Sequence, residues 1–184
     1  MHPLASISAG CLRQTTPVLA LLVVTAAGPL RAQEGSSACR LLQVSELEAA
    51  IGGKVSAKPA GSRQAVPGMT MDECQLVLAG GGHTHPISIR IVSDLGMDGS
   101  QAIQDRNRGQ AMETQWKVAG ARLEQSTVGK AICMLTGRPN VASNTTCSIP
   151  RGKGYLEVDV TGPVTDLPSM AVVGALAQKA MSRL

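Results

Sequence analysis

Cysteines are the residues of this 184-residue chain that are best suited to covalent chemistry. Of the five cysteines, four follow residue 32: Cys39, Cys74, Cys133 and Cys147, at separations of 35, 59 and 14 residues. No two have the C-x-x-C spacing of redox pairs, and no close pairs have the spacing of zinc ligands. An even number of widely spaced cysteines in an exported domain is typical of structural disulfides.

The order of the predicted elements favours one of the three pairings that four cysteines allow. Cys39 precedes the first predicted helix and Cys74 lies on the first predicted strand, so a bond between them would fasten helix to sheet. Cys133 and Cys147 lie on neighbouring predicted strands that are joined by a loop. We therefore predict the disulfides Cys39–Cys74 and Cys133–Cys147, each contributing about 3–4 kcal/mol on the loop-entropy model.

Two histidines and two methionines are candidates for metal binding. His83 and His85 alternate on one segment, and Met69 and Met71 alternate on another. Imidazole and thioether groups suit copper, which an exported protein can meet. We therefore treat His83 and His85, in the Gly80–His85 loop, as candidate metal ligands.

The register of the predicted hairpin separates these histidines from the methionines. With Gly81 at the bend, Cys74 faces Ile89. The same register places His83 beside the bend and residues 69–71 at the far end of the arm. The alternative interpretation is therefore two solvent-exposed histidines in a glycine loop, with methionines that fill gaps.

Motifs for nucleophilic catalysis and phosphate binding are missing from the sequence. It contains no G-x-S-x-G and no S-x-x-K segment, and its third histidine, His2, belongs to the leader. Residues 127–131 are similar to part of a phosphate loop, but Glu124 and Ala131 stand where that motif needs a glycine and a hydroxyl. We therefore predict no catalytic residue and no cofactor.

Carboxylate pairs are the remaining candidates for acid–base chemistry. Asp72 adjoins Glu73, and Glu157 stands two residues before Asp159. Neither pair is flanked by aromatic residues that could hold a sugar. We interpret both pairs as solvated faces of strands.

An apolar segment near the N-terminus predicts export. Residues 17–27 form a hydrophobic stretch of about 11 residues, too short for the roughly 20 that span a bilayer. A basic, acid-free leader with Arg13 precedes it, and small residues follow it up to Ala32, with Ala27 as a second cleavage candidate. The predicted organisation is a cleaved signal peptide at 1–32, a flexible leader at 33–38 and a single disulfide-stapled domain at 39–184. The predicted location is periplasmic or secreted.

Composition excludes several classes of partner. Loss of Arg13 and Arg31 from the 17 basic residues would leave 15 against 13 acidic residues, and no block of like charge occurs. The chain has one Trp, one Tyr and no Phe, so it lacks the stacking platforms of nucleic-acid grooves and the aromatic anchors of many interfaces. We expect a monomer that binds no nucleic acid, has no transmembrane segment in the mature chain, and meets an envelope protein or a small ligand.

Periodicity predicts an α+β domain in which helices pack on an antiparallel sheet of about five strands. A capping box of Ser45 and Glu48 opens the first helix and Gly52 ends it. Residues 54–70 are predicted as a loop. The other predicted elements are a hairpin with arms at 73–78 and 87–92, a middle helix at 98–117, strands at 131–136, 144–149 and 155–161, and a C-terminal helix at 166–184.

The opening of the predicted domain resembles an uncharacterised family of bacterial exported domains, many of them lipoproteins. That family, a domain of unknown function, has a C-x-L-L-T-x-x-E-x-x-x-x-x-G opening and then a cysteine on the first strand. Here Cys39 to Gly52 and Cys74 follow this pattern, with Gln43 in place of the usual threonine, and 128–131 is similar to part of a later segment. The resemblance implies the Cys39–Cys74 pairing and an α+β fold, and it implies no catalytic residues.

The function predicted from the sequence is that of a non-catalytic exported binding or accessory domain. Two alternatives stay open: a metal or small-ligand carrier that uses the Gly80–His85 loop, and an enzyme of unrecognised type.

Overall fold

The computed structural model describes residues 36–80, 82–117, 120–137 and 142–184. The predicted signal peptide, residues 33–35 of the predicted leader and the predicted bend at Gly81 lie outside the described residues.

Within these residues, the fold consists of eight strands and three α-helices, and every strand pair is antiparallel. A 3-10 helix at Ser37–Arg40 precedes these elements, which are α1 (Val44–Ile51), β1 (Lys54–Val55), β2 (Ala60–Val66), β3 (Met69–Gly80), β4 (His83–Ser93), α2 (Gly99–Lys117), β5 (Arg122–Val128), β6 (Ala131–Gly137), β7 (Ser143–Pro150), β8 (Tyr155–Gly162) and α3 (Met170–Met181). The strand order is β1-β3-β4-β8-β7-β6-β5, with β2 also paired to β3. The α+β prediction is confirmed, whereas the prediction of about five strands is wrong.

The missed strands lie toward the edges of the sheet and carry little apolar signal. The predicted loop at 54–70 contains β1 and β2, and the side chains of β2 are mostly exposed. Edge pairing uses backbone hydrogen bonds, so it needs no apolar alternation. The turn from β2 to β3 does carry a sequence signal, because Pro67 and Gly68 occupy its centre and Gly68 has a φ of 80°.

The β3–β4 hairpin has the predicted register. Cys74 pairs with Ile89, and Gly80 pairs with His83 beside the bend. Met71 pairs with Val92 at the other end of the hairpin, as predicted. Because side chains alternate along a strand, this register fixes which residues of both strands face the core.

One face of the sheet carries the apolar core and is covered by α3. The core includes both disulfides and the inward residues of β3, β4, β6, β7 and β8. Helix α3 starts after Ser169, whose side chain accepts a hydrogen bond from the Val172 N–H at 3.4 Å. Its buried residues form one stripe: Val173, Gly174, Leu176, Ala177 and Ala180. The predicted start of the C-terminal helix at 166–168 is therefore wrong, because α3 begins at Met170.

The first helix begins with a different capping box from the predicted one. Gln43 is the N-cap, and its backbone N–H donates to Glu46 Oε2 at 2.9 Å. The predicted partner Glu48 instead accepts from the Val55 N–H at 3.0 Å and thereby ties α1 to β1. The C-terminal stop at Gly52 is confirmed, with a φ of 90°.

Glu46 also joins α1 to α3. Arg183 donates to both of its carboxylate oxygens at 2.7 Å, and Lys179 Nζ lies 2.7 Å from Oε1. The hydrogen bond from Arg183, followed by those from Lys179 and the Gln43 N–H, holds the pKa of Glu46 well below its ordinary value of 4.5. The carboxylate is therefore ionised in the folded protein at pH values where an unfolded chain would protonate it.

We predict that this site contributes to acid sensitivity. A carboxyl with a lowered folded pKa stabilises the fold above its unfolded pKa, and this contribution declines as the pH falls below about 4.5. Glu46→Gln should therefore lower the melting temperature at pH 7 and show a shallower decline between pH 5 and about 2 than the wild type. Thermal unfolding across that range measures both slopes, and equal slopes would contradict the assignment.

Candidate functional site

A row of charged side chains crosses the second face of the sheet, opposite the apolar core. Glu73 on β3 pairs with Arg90 on β4, Arg90 pairs with Glu157 on β8, and Glu157 pairs with Ser148 on β7. Residues that are directly opposite on neighbouring strands project to the same face. We call these four residues, together with Arg106 of α2, the charged row.

Arg90 is the centre of the charged row. Its Nε donates to Glu73 Oε1 at 2.7 Å and its Nη1 donates to Glu157 Oε1 at 2.8 Å. Arg106 reaches down from α2, contacts the other oxygen of Glu157 and donates from Nη2 to Ser148 Oγ at 2.9 Å. Two guanidinium groups thus neutralise two carboxylates.

Both carboxylates are buried. Glu73 is 6% exposed and Glu157 is 4% exposed. Burial acts to raise the pKa of Glu73, but hydrogen bonds from Ser88 and Arg90 outweigh it and leave that pKa below its ordinary value. A carboxylate with a lowered pKa is a weak proton acceptor at neutral pH, so Glu73 is suited to holding charge in place rather than to acid–base catalysis.

Asp159 lies next to the charged row and has a different environment. It accepts hydrogen bonds from Asn144 Nδ2 at 3.0 Å, from the Thr146 hydroxyl and from Thr161 Oγ1 at 3.2 Å. Among the described residues, no lysine or arginine nitrogen lies within ion-pair distance of it. Within the described residues, its direct contacts are therefore with neutral donors.

Part of this face is open and forms a cavity of about 410 Å³. Helix α2 packs on β6, β7 and β8, whereas the cavity lies over β3, β4 and the near side of β8. We call this cavity the polar trough. Its polar lining side chains are Lys58, Gln75, Ser88, Arg90, Asp159 and Thr161.

A second cavity of about 650 Å³ lies toward the start of β4. The two cavities share Pro86 and Thr161. The second is lined further by His83, Thr84 and Thr165. The polar trough thus offers guanidinium, carboxylate, amide and hydroxyl groups, and the second cavity adjoins it at two shared residues.

The two predicted metal ligands occupy strand β4 rather than a loop. His83 is exposed, and its Nε2 lies 3.2 Å from Asp166 Oδ2. His85 is buried, which corrects its interpretation as solvent-exposed, and its Nδ1 has no hydrogen-bond partner. An added Cβ at Gly162 would lie 2.5 Å from that Nδ1, so the glycine allows β8 to approach the imidazole.

Within the described ranges, no three His, Cys, Asp or Glu side chains group closely enough to hold a metal ion. Met71 lies at the opposite end of the hairpin from His83. Metal binding by His83 and His85 stays a prediction.

The disulfides have the predicted pairing and lie away from the polar trough's charged groups. Cys39 and Cys74 have a Cα–Cα distance of 4.9 Å, and Cys133 and Cys147 have one of 4.1 Å. Cys74, Cys133 and Cys147 belong to the apolar core. Their burial favours a structural role over thiol chemistry.

Sequence reasoning missed the charged row. The interpretation of Glu73, Glu157 and Asp159 as solvated strand faces is corrected, because Glu73 and Glu157 are buried against arginines and Asp159 is half-buried among hydroxyls. The available signal was the hairpin register itself, since a register that opposes Cys74 and Ile89 also opposes Glu73 and Arg90.

Comparison with known proteins gives no family assignment: no protein-family model matches the chain, and no curated protein matches it. The resemblance to a family of exported domains therefore stays a prediction. In the described part of the chain, no helix has both the length and the apolarity that crossing a membrane requires.

Proposed function

We propose that this protein is a non-catalytic exported domain that binds a small polar ligand in the polar trough. The observation that carries the proposal is the fixed charged row beside an open cavity. Arg90 is held by two buried carboxylates, so its guanidinium lines the cavity in one orientation. Preorganised polar groups lose little entropy when a ligand binds.

The charge pattern of the trough supports a ligand with both acidic and basic or hydroxyl groups. Arg90 suits a carboxylate or another planar anion, whereas Asp159 has no cationic partner of its own among the described residues. Ser88 and Asp159 pair directly across β4 and β8, and Arg90 lies one position further along the same face. The two charges are therefore spaced for one small ligand.

The proposed lack of catalysis is supported by the same contacts. Glu73 and Glu157 are each engaged by arginine, and neither is free to accept a proton from a ligand. The two disulfides support residence in an oxidising compartment, periplasmic or extracellular, which agrees with the apolar segment at 17–27.

The test is a thermal-shift screen of the oxidised protein against free amino acids, dipeptides, polyamines and monosaccharides. The wild type is compared with Ala60→Trp, which places an indole at the rim of the trough. The matched control is Ala65→Trp. Both alanines are exposed on β2, and side-chain alternation places Ala65 on the opposite face of that strand.

We expect at least one compound to raise the melting temperature of the wild type and of Ala65→Trp, but not of Ala60→Trp. Equal shifts in both variants would place the ligand elsewhere and overturn the proposal. Conversion of a bound compound would show an enzyme. No shift with any compound would also reject a small ligand and leave a protein partner as the alternative.

A further inference from the structure

The inner face of α2 is polar, unlike that of α3. Ile103, Asn107, Gln110 and Thr114 follow one another at helical spacing on this face. Of the large side chains of the described chain that are fully buried, α2 contributes one apolar residue, Ile103. Apolar burial is the main force that holds a helix on a sheet, and the described side chains of α2 contribute little of it for the length of the helix.

Two buried polar atoms at the C-terminal half of α2 have no partner. Gln110 Oε1 and Thr114 Oγ1 are shielded from solvent and make no hydrogen bond, and Thr114 is 1% exposed. A buried polar group without a partner regains hydrogen bonds to water when its element opens. The docked position of this half is therefore opposed by the atoms it buries.

The N-terminal end of α2 is anchored, in contrast. The Gly99 N–H donates to Gly152 O at 2.8 Å, and the Leu95 N–H donates to Lys153 O at 2.9 Å. An added Cβ at Gly99 would lie 1.8 Å from Gly154 O, so the backbones are in direct contact. Arg106 adds the ion pair with Glu157 one turn beyond Ile103.

Gly109 separates the anchored part of α2 from the weakly docked part. It is exposed, and an added Cβ would meet nothing within 4 Å. Glycine in a helix interior lowers helix stability relative to alanine, and no packing contact at this site requires it. Intrinsic helix stability is thus lowered near the middle of α2, beyond Arg106.

We propose that residues 107–117 of α2 form a cover that detaches from the sheet while residues 99–106 stay in place. Helix α2 packs on β6, β7 and β8, whose buried polar residues on this face include Thr136 and Thr146. Because Thr146 bonds Asp159, detachment extends the polar trough beneath the helix. A role of this detachment in ligand access rests on the proposed function. The detachment of residues 107–117 from the sheet does not.

The test is amide hydrogen exchange of the intact oxidised protein, measured by mass spectrometry on peptides from α2 and α3. We expect amides of 110–117 to exchange at least tenfold faster than those of α3, since sub-global opening exposes only this segment. Gly109→Ala should slow this exchange about fivefold. Thr114→Val, which removes the unpartnered hydroxyl, should slow it by about fivefold or more.

Two matched controls separate the cover from general stability. Gly96→Ala also adds a Cβ into open space, but in the loop before α2, and should leave exchange of 110–117 unchanged. Thr145→Val removes a buried hydroxyl that donates to Pro168 O at 3.0 Å, and should not slow exchange in α2. Both variants keep the charged row intact.

Equal exchange rates for 110–117 and α3 would overturn the proposal, because the helix would then open only on global unfolding. Faster exchange in Thr114→Val would also overturn it, since the hydroxyl would then have a stabilising partner such as water. Neither result depends on the ligand screen. A failed screen with rapid exchange in α2 would reject the proposed function and retain the moving helix.

Discussion

Arg90→Met is expected to lower the free energy of unfolding by about 3 kcal/mol, at the lower end of the range for breaking a buried ion pair. The substitution removes the hydrogen bonds at 2.7 and 2.8 Å to Glu73 and Glu157. Glu73 then keeps only the neutral donors Ser88 and Gln75. Glu157 keeps Arg106 as its arginine partner. Both carboxylates are almost fully buried, so the lost ion pairs are not replaced by water at low cost.

The comparison variant is Arg122→Met, because Arg122 is paired with Glu124 on the surface. These side chains are 64% and 40% exposed, and exposed pairs contribute about 0–1 kcal/mol. Arg90→Lys should fall between the two, since one ammonium group cannot reproduce the two-sided contact of a guanidinium. Urea unfolding at pH 7 measures all three. A loss for Arg90→Met as small as that for Arg122→Met would show that the charged row is hydrated and energetically unimportant.

Replacing both Cys39 and Cys74 with alanine is expected to cost about 4 kcal/mol of stability. The disulfide closes a loop of 35 residues that contains α1, β1 and β2, and its loss frees this loop in the unfolded chain. Few apolar contacts hold β1 and β2, whose side chains are mostly exposed. The double variant should therefore lose the order of this edge before it loses that of the remaining sheet.

The matched comparison is the double replacement of Cys133 and Cys147. Their disulfide closes a loop of 14 residues, for which the same relation gives about 3 kcal/mol. Their strands are also held by five paired positions between β6 and β7 and by α3. Urea unfolding of both double variants should rank Cys39/Cys74 as the larger loss. The reverse order would mean that the chain between Cys39 and Cys74 stays ordered when the bond is absent.

Local patterns were sufficient for the parts of the fold that depend on local contacts. Alternating apolar residues located β3, β4 and β8, and helical spacing located α2 and α3. The position of the bend then fixed the hairpin register, because a shift of one residue would expose every core side chain. The capping of α1 shows the limit: Gln43 and Glu46 form the capping box in place of the predicted pair, and Glu46 also binds Arg183, which lies 137 residues away.

The sequence by itself determined the α+β class, the hairpin register and the two cysteine pairings, because each follows from periodicity and from the order of neighbouring elements. Only the tertiary structure decided the strand number and the candidate site. Edge strands pair through backbone groups that carry no side-chain signal. The hairpin register opposes Glu73 and Arg90, but the burial of Glu73 and Glu157 depends on four strands lying side by side and on Arg106 reaching Glu157 from a helix. These contacts join segments that are far apart in the sequence, so no local pattern announces them.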